Sequence, residues 1–288
     1  MKPTRELAAL VAIPIVLAVL FFLPPVAFNL LVALIALAAL WEFYRIAEKT
    51  GHPVAKTLGI ALAAIFLVYA AVLWSREGLP SWLPEVRPED AAGRLFAAAI
   101  AAGVLASLAP LLGRVPSNLA LAGAASTLFG VMAIAVPAAA LCYLRSPFGD
   151  SRAGFGSRAI LLLFLLVWGC DSAAYYGGRR FGKRKLAPVV SPNKTVEGTL
   201  FGLLGGALIG AAAGTWLVLP ELGPLRGLIA GAVVTTAGQA GDLVESLWKR
   251  GAGVKDSGAF LPGHGGFYDR IDSLLFAGPV LAAFVACL

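Results

Sequence analysis

The chain has 288 residues, with 23 lysines and arginines against 16 aspartates and glutamates, a formal net charge of +7. Hydrophobic residues make up 59% and charged ones only 14%, and a mean hydropathy of +0.84 excludes an ordinary soluble domain. Runs of about 17–25 apolar residues recur, each able to cross a ~30 Å hydrocarbon core as a helix. The composition predicts an all-α polytopic membrane protein.

In chain order, about nine transmembrane helices are expected, at 7–23, 26–41, 57–74, 95–113, 118–143, 159–176, 199–219, 225–247 and 273–288. The first has a signal-like basic start but no small-residue cleavage site. It runs through Pro24-Pro25 into the second span, so a retained helix is expected. Residues 1–150 would form an N-terminal membrane region of about five spans. Residues 151–288 would form the catalytic membrane region, carrying two polar loops. The loop 75–94, with Trp82 and several prolines, suits a membrane interface and shows no chemistry. No stretch is polar for more than about 30 residues, so no separate soluble domain of ~50 or more is expected. Cys142, Cys170 and Cys287 lie in apolar stretches without metal-ligand spacing and read as small buried hydrophobes.

Lysine and arginine bias sets the expected orientation. With the N-terminus inside, sixteen of the 23 cations fall on the cytoplasmic side. Arg145, Arg152 and Arg158 form an outside cluster that this bias does not explain. Both concentrated polar stretches, 168–198 and 238–272, then share the cytoplasmic face and could build one site at the cytoplasmic side of the C-terminal half. Polar residues concentrated at span ends, with no convincing internal repeat, weigh against the other class considered, a transporter using this cluster as a gate.

Asp171 and Asp242 sit in or at the ends of apolar helices, where a carboxylate is costly and by default functional, although Asp171 could equally just mark the membrane interface. The structural alternative for Asp242 is an N-cap with Glu245 as its box partner, but the helical pattern runs through it uninterrupted. Ser246 follows four residues later on the same helical face. Asp269 and Asp272, spaced i, i+3, share a face at the start of the last span; they could also simply cap its first turn. Gly263-His264-Gly265-Gly266 could be a permissive turn or an anion-wrapping loop, with His264 able to donate or titrate. Arg179, Arg180, Lys183, Arg184 and Lys185 divide evenly between topology and substrate attraction. Lys194 and Thr195, just before Glu197 and a new span, fit a phosphate clamp or a plain helix start.

The stretch SLWKRGAGVKDSGAFLPGHGGFYDRID, 246–272, sets cations and carboxylates among glycines, as a metal-assisted phosphoryl site requires. It resembles the signature of the phosphatidate cytidylyltransferases (CDP-diacylglycerol synthases). The matching positions are Ser246, Lys249, Arg250, Lys255, Asp256, Gly258, Leu261, Pro262, His264, Gly265, Gly266, Phe267, Asp269, Arg270, Ile271 and Asp272. The region 168–198 and Gly241-Asp242 also look like the family's upstream conserved segments.

The resemblance implies transfer of a cytidylyl group from CTP to phosphatidic acid, giving CDP-diacylglycerol and pyrophosphate. It implies Asp242 and Asp269 as leading metal ligands, supported by Asp256 and Asp272. Lys249, Arg250, Lys255 and Arg270 would bind phosphates together with Lys194. Catalytic roles fall to Asp242, Lys255, Asp256, His264, Asp269 and Arg270. Substrate binding would fall to Lys194, Thr195, Ser246, Lys249, Arg250, Gly265 and Gly266. Mg²⁺ is the expected cofactor, with a second cation left open. CTP, phosphatidic acid and membrane lipids are the expected partners. No nucleic-acid partner is expected, and a homodimer is left open. The expected location is a bacterial inner membrane, with the N-terminus and active-site loops cytoplasmic. A CTP-dependent transferase acting on another lipid phosphate or a polyprenol is the alternative.

Overall fold

Prolines and glycines mark where the helices begin and end. The computed structural model describes residues 3–74, 117–146, 154–258 and 265–288, with a few isolated positions between 94 and 105. The expected loop 75–94 and span 95–113 lie almost wholly outside the described residues, and Arg152 and His264 lie outside them altogether. The chain divides into two compact units.

The first unit comprises Met1–Pro147 and Ala252–Asp269. It holds α1 (Pro3–Phe22), α2 (Pro25–Lys49), α3 (Lys56–Trp74) and α4 (Ala120–Arg145). Pro25 occupies the first turn of α2, where a missing N–H costs nothing. Gly51, at φ 82°, ends that helix in the left-handed conformation that glycine adopts without strain. Within α4 the turn Val131–Ala135 widens to a π-helical one just before Pro137, whose ring would crowd the carbonyl of a regular α-turn. The core centres on Tyr44, fully buried, whose hydroxyl donates to the Thr127 carbonyl at 2.8 Å. Gly59 and Gly130 leave room for its ring.

Arg145 accounts for part of the charge anomaly. Its buried guanidinium donates to the carbonyls of Leu20 and Leu23 at 3.1 and 3.3 Å, satisfying the C-terminal end of α1.

The second unit comprises Phe148–Gly251 and Arg270–Leu288. Its elements are α5 (Phe155–Phe181), the strands β1 (Lys185–Ala187) and β2 (Ser191–Thr195), α6 (Val196–Ala212) and α7 (Gly223–Gly251). Most of α8 (Tyr268–Ala286) completes it. The buried residues of α6 are Gly198, Gly202, Gly206 and Gly210, one per turn. A side chain at Gly206 would meet Thr235, and one at Gly210 would meet the Gly227 backbone, so α6 and α7 touch backbone to backbone. On the other side Gly178 abuts Gly198, and Gly202 lies against Cys170 and Ala174. Such small-residue stripes let apolar helices pack closely where no hydrophobic effect drives them together. Gly241 brings α7 into similarly close contact with the Asp272 backbone of α8, while Gly238 makes ordinary contact with Ser273. Arg158, the second anomalous cation, is held by Glu221 at 2.7 Å.

Among the described residues, six helices are long and apolar enough to cross a membrane, and Ile13–Phe22 is a shorter apolar one. The protein is an all-α polytopic membrane protein by this measure. Three helices run well past their expected C-terminal ends: those expected to stop at 41, 176 and 247 continue to Lys49, Phe181 and Gly251. Hydropathy marks where the apolar stretch stops, whereas the hydrogen-bonded ladder runs on through Arg179-Arg180 and Lys249-Arg250. The antiparallel hairpin β1–β2 was not expected at all.

Candidate active site

In the second unit, α7 carries Asp242 and Glu245 and α8 carries Asp272. One carboxylate oxygen from each lies within 4.8 Å of the others. The close approach of Gly241 to the Asp272 backbone is what makes this possible. Asp242 lies inside a continuous helix, so the N-cap alternative does not apply. Glu245 is buried at 1% exposure, and a buried carboxylate demands a partner. Lys249, one turn on, supplies it at 2.6 Å. Three oxygen donors of this kind suit a hard divalent cation.

The hairpin brings a second cation. The Lys194 ammonium lies 2.6 Å from Asp242 Oδ2, while Ser246 Oγ donates to Asp242 Oδ1 at 3.4 Å. Arg250 Nε donates to the Val190 carbonyl at 3.3 Å, so the hairpin and the C-terminal end of α7 meet at the same end of this unit. Thr195 is the N-cap of α6: its hydroxyl oxygen accepts the Gly198 N–H at 3.1 Å, the bond a plain helix start requires. Glu197 accepts the N–H groups of Lys183 and Arg184, at 3.0 and 3.2 Å, which fixes the chain leading into β1.

The first unit carries the signature residues from Ala252 to Asp269, and Arg270 belongs to the second. Gly265 has φ 77°, and a side chain there would strike the Asp269 carboxylate, so glycine is required twice over. Asp269 Oδ2 accepts the Gly266 N–H at 2.7 Å and the Ser257 N–H at 3.0 Å. Both amides lie outside α8, so Asp269 ties down the preceding loop rather than capping its own helix's first turn. Lys255, Asp256 and Arg270 are exposed.

A carboxylate that the sequence reading passed over completes this loop. Glu42 of α2, 6% exposed, accepts from Ser257 Oγ at 2.8 Å and from the Tyr268 N–H at 2.9 Å. It also accepts the Phe267 N–H at 3.2 Å. Its signal was present: an acidic residue inside the apolar run VALIALAALWEFY is costly and calls for a role.

The sequence profile of the cytidylyltransferase family matches residues 3–288. The chain belongs to this family. A phosphatidate cytidylyltransferase of Pseudomonas aeruginosa is 34% identical over 290 residues, covering 99% of this chain and 97% of the relative. One from Staphylococcus epidermidis is 48% identical over 126 residues, 44% of this chain and 48% of that relative. One from a Synechocystis strain is 41% identical over 133 residues, 46% of this chain and 45% of the relative. The chain thus spans about half the length of several curated relatives it matches, and nearly all of one.

Of the carboxylates expected to hold a metal in this family member, Asp242 and Asp272 come together. Glu245 joins them as a member the expectation lacked. Its i, i+3 spacing from Asp242 and its place on the same side were visible, but it was not counted among the metal ligands. Asp269 and Asp256 belong to the first unit. Asp269 turns to the loop amides and Asp256 is exposed.

Proposed function

We propose that this family member transfers a cytidylyl group from CTP to phosphatidic acid, releasing pyrophosphate and forming CDP-diacylglycerol. The observation that carries the reading is the juxtaposition of Asp242, Glu245 and Asp272 with Lys194 and Lys249 at one end of a glycine-packed helix group. In the reaction, a lipid phosphate oxygen forms a bond to the α-phosphorus of CTP. The bond from that phosphorus to the bridging oxygen of the pyrophosphate breaks. A phosphate monoester is already largely ionised near neutrality (second pKa ~6), so no general base is obligatory. The work left to the protein is positioning and neutralising negative charge.

Asp242, Glu245 and Asp272 are the residues that would hold a divalent cation, Mg²⁺ by the oxygen-only donor set. When bound, such an ion neutralises phosphate oxygens and orients them. Lys194 would exchange its partly exposed carboxylate partner for a phosphate as substrate arrives, while Lys249 would keep the buried Glu245 neutralised. Lys255, Arg250 and Arg270 add phosphate contacts, with the Gly265 and Gly266 turn supporting them. About nine spans, a cytoplasmic site and a bacterial inner membrane complete the reading. The test is purified protein with labelled CTP and a panel of lipid phosphates. Mg²⁺-dependent label in the lipid phase with phosphatidic acid is expected. Label appearing only with a polyprenol phosphate would overturn the substrate assignment.

A further inference from the structure

Glu42 is buried, carries both oxygens to the segments around Ser257 and Phe267–Tyr268, and has no part in the three-carboxylate cluster. Its Oε2 takes the Ser257 hydroxyl and the Tyr268 amide, and its Oε1 takes the Phe267 amide. Side chains added at Gly258 or Gly266 would run into this carboxylate, so the backbone at both positions lies directly against it. Ser257 Oγ also lies 3.0 Å from Asp269 Oδ2, which sets one hydroxyl between the two carboxylates. The contact joins residues 215 apart in sequence, from the second helix to the C-terminal signature.

We propose that Glu42 is a positioning residue for nucleotide transfer: it templates Ser257–Gly258 and Gly266–Tyr268 and thereby the presentation of Lys255, Asp256 and the Gly265–Gly266 turn. A carboxylate suits this task, because it only accepts and every group it meets here donates. The equally sized amide of glutamine would turn an NH₂ group toward one or more of those donors and lose at least one bond. The inference rests on the phosphate-binding role proposed for the loop. It does not require Glu42 to touch substrate.

Glu42→Gln and Ser257→Ala, in the full-length protein in detergent, test it. Hydrogen exchange at the Phe267 and Tyr268 amides should accelerate in Glu42→Gln. Outer contacts of this kind are worth about 10–100-fold in activity, so the KM for CTP should rise and kcat/KM for CTP fall by at least about tenfold. The KM for phosphatidic acid should stay near wild type, a split that general destabilisation would not give. Should Glu42→Gln fail to fold, Ser257→Ala, which keeps the backbone bonds, decides with a smaller shift of the same kind. Wild-type exchange and wild-type KM for CTP in a folded variant would overturn the proposal, as would equal losses for both substrates. A wild-type protein without cytidylyl transfer would instead overturn the proposed function, and the exchange data would still report on the tether.

Discussion

Lys194 and Asp242 meet at 2.6 Å, joining the β-hairpin to the middle of a helix that carries two of the three clustered carboxylates. Both side chains are partly exposed, at 27% and 36%, so the pair is reachable by solute and contributes little to stability. Asp242 is therefore available for exchange between an ammonium and a cation.

Asp242→Asn should abolish most turnover without unfolding the protein. Losing one charge-assisted contact costs roughly 1.5–3 kcal/mol, on the order of 10–150-fold in rate. Thermal melts should match wild type while the Mg²⁺ needed for half-maximal activity rises. A variant active at low Mg²⁺ would remove Asp242 from the ligand set.

The apolar helices were legible because spans announce themselves by hydropathy, and α2, α3 and α4 lie near where the sequence puts them. Asp242, Asp272 and Ser246 were legible as costly or patterned polar residues. The hairpin was not: Lys185–Ala187 and Ser191–Thr195 are short and polar, with no alternation to betray them. Glu42 was missed because its partners lie in the C-terminal signature, and no periodicity links α2 to Ser257. Arg145 looked like a topological exception when it is a buried cap for α1, a role set by tertiary contact rather than by charge bias.

The glycine stripe of α6 should be intolerant of even one methyl group. At Gly210 an added Cβ would meet the Gly227 carbonyl and crowd the Gly231 Cα at 2.9 Å, and these are backbone atoms that cannot turn aside. Gly210→Ala should destabilise by about 1–3 kcal/mol, the range for overpacking. Gly251→Ala, with nothing within 4 Å, is the matched control and should melt like wild type. Equal melting of the two in detergent would contradict the close α6–α7 approach.

Cysteine labelling tests the orientation read from the charge bias. Val189, at 86% exposure, and Gly251, with open space around it, report the hairpin and the end of α7. Gly258 is unsuitable, because a side chain there would strike Glu42. Native Cys287, exposed beyond the end of α8, reports the C-terminus. An impermeant reagent applied to intact cells should reach Cys287. It should miss Val189→Cys and Gly251→Cys in a Cys287→Ser background. Labelling of both introduced positions from outside would reverse the orientation.

Lys194 and Lys249 look alike in sequence and should behave differently. Lys249 faces Glu245, whose side chain is 2% exposed, whereas Lys194 faces the partly exposed Asp242. Withdrawing a cation from a buried carboxylate costs about 3–5 kcal/mol. Withdrawing one from an exposed pair costs ~0–1 kcal/mol. Lys249→Ala should therefore lower the melting temperature markedly in chelator, and adding Glu245→Gln should recover part of the loss. Lys194→Ala should melt near wild type yet lose on the order of 10–150-fold in kcat/KM for CTP, if its charge is spent on phosphate. Melting curves and steady-state kinetics on the same preparations separate the two effects. A Lys194 variant that loses stability but not rate would make the hairpin cation a structural strut, leaving phosphate recognition to the signature cations.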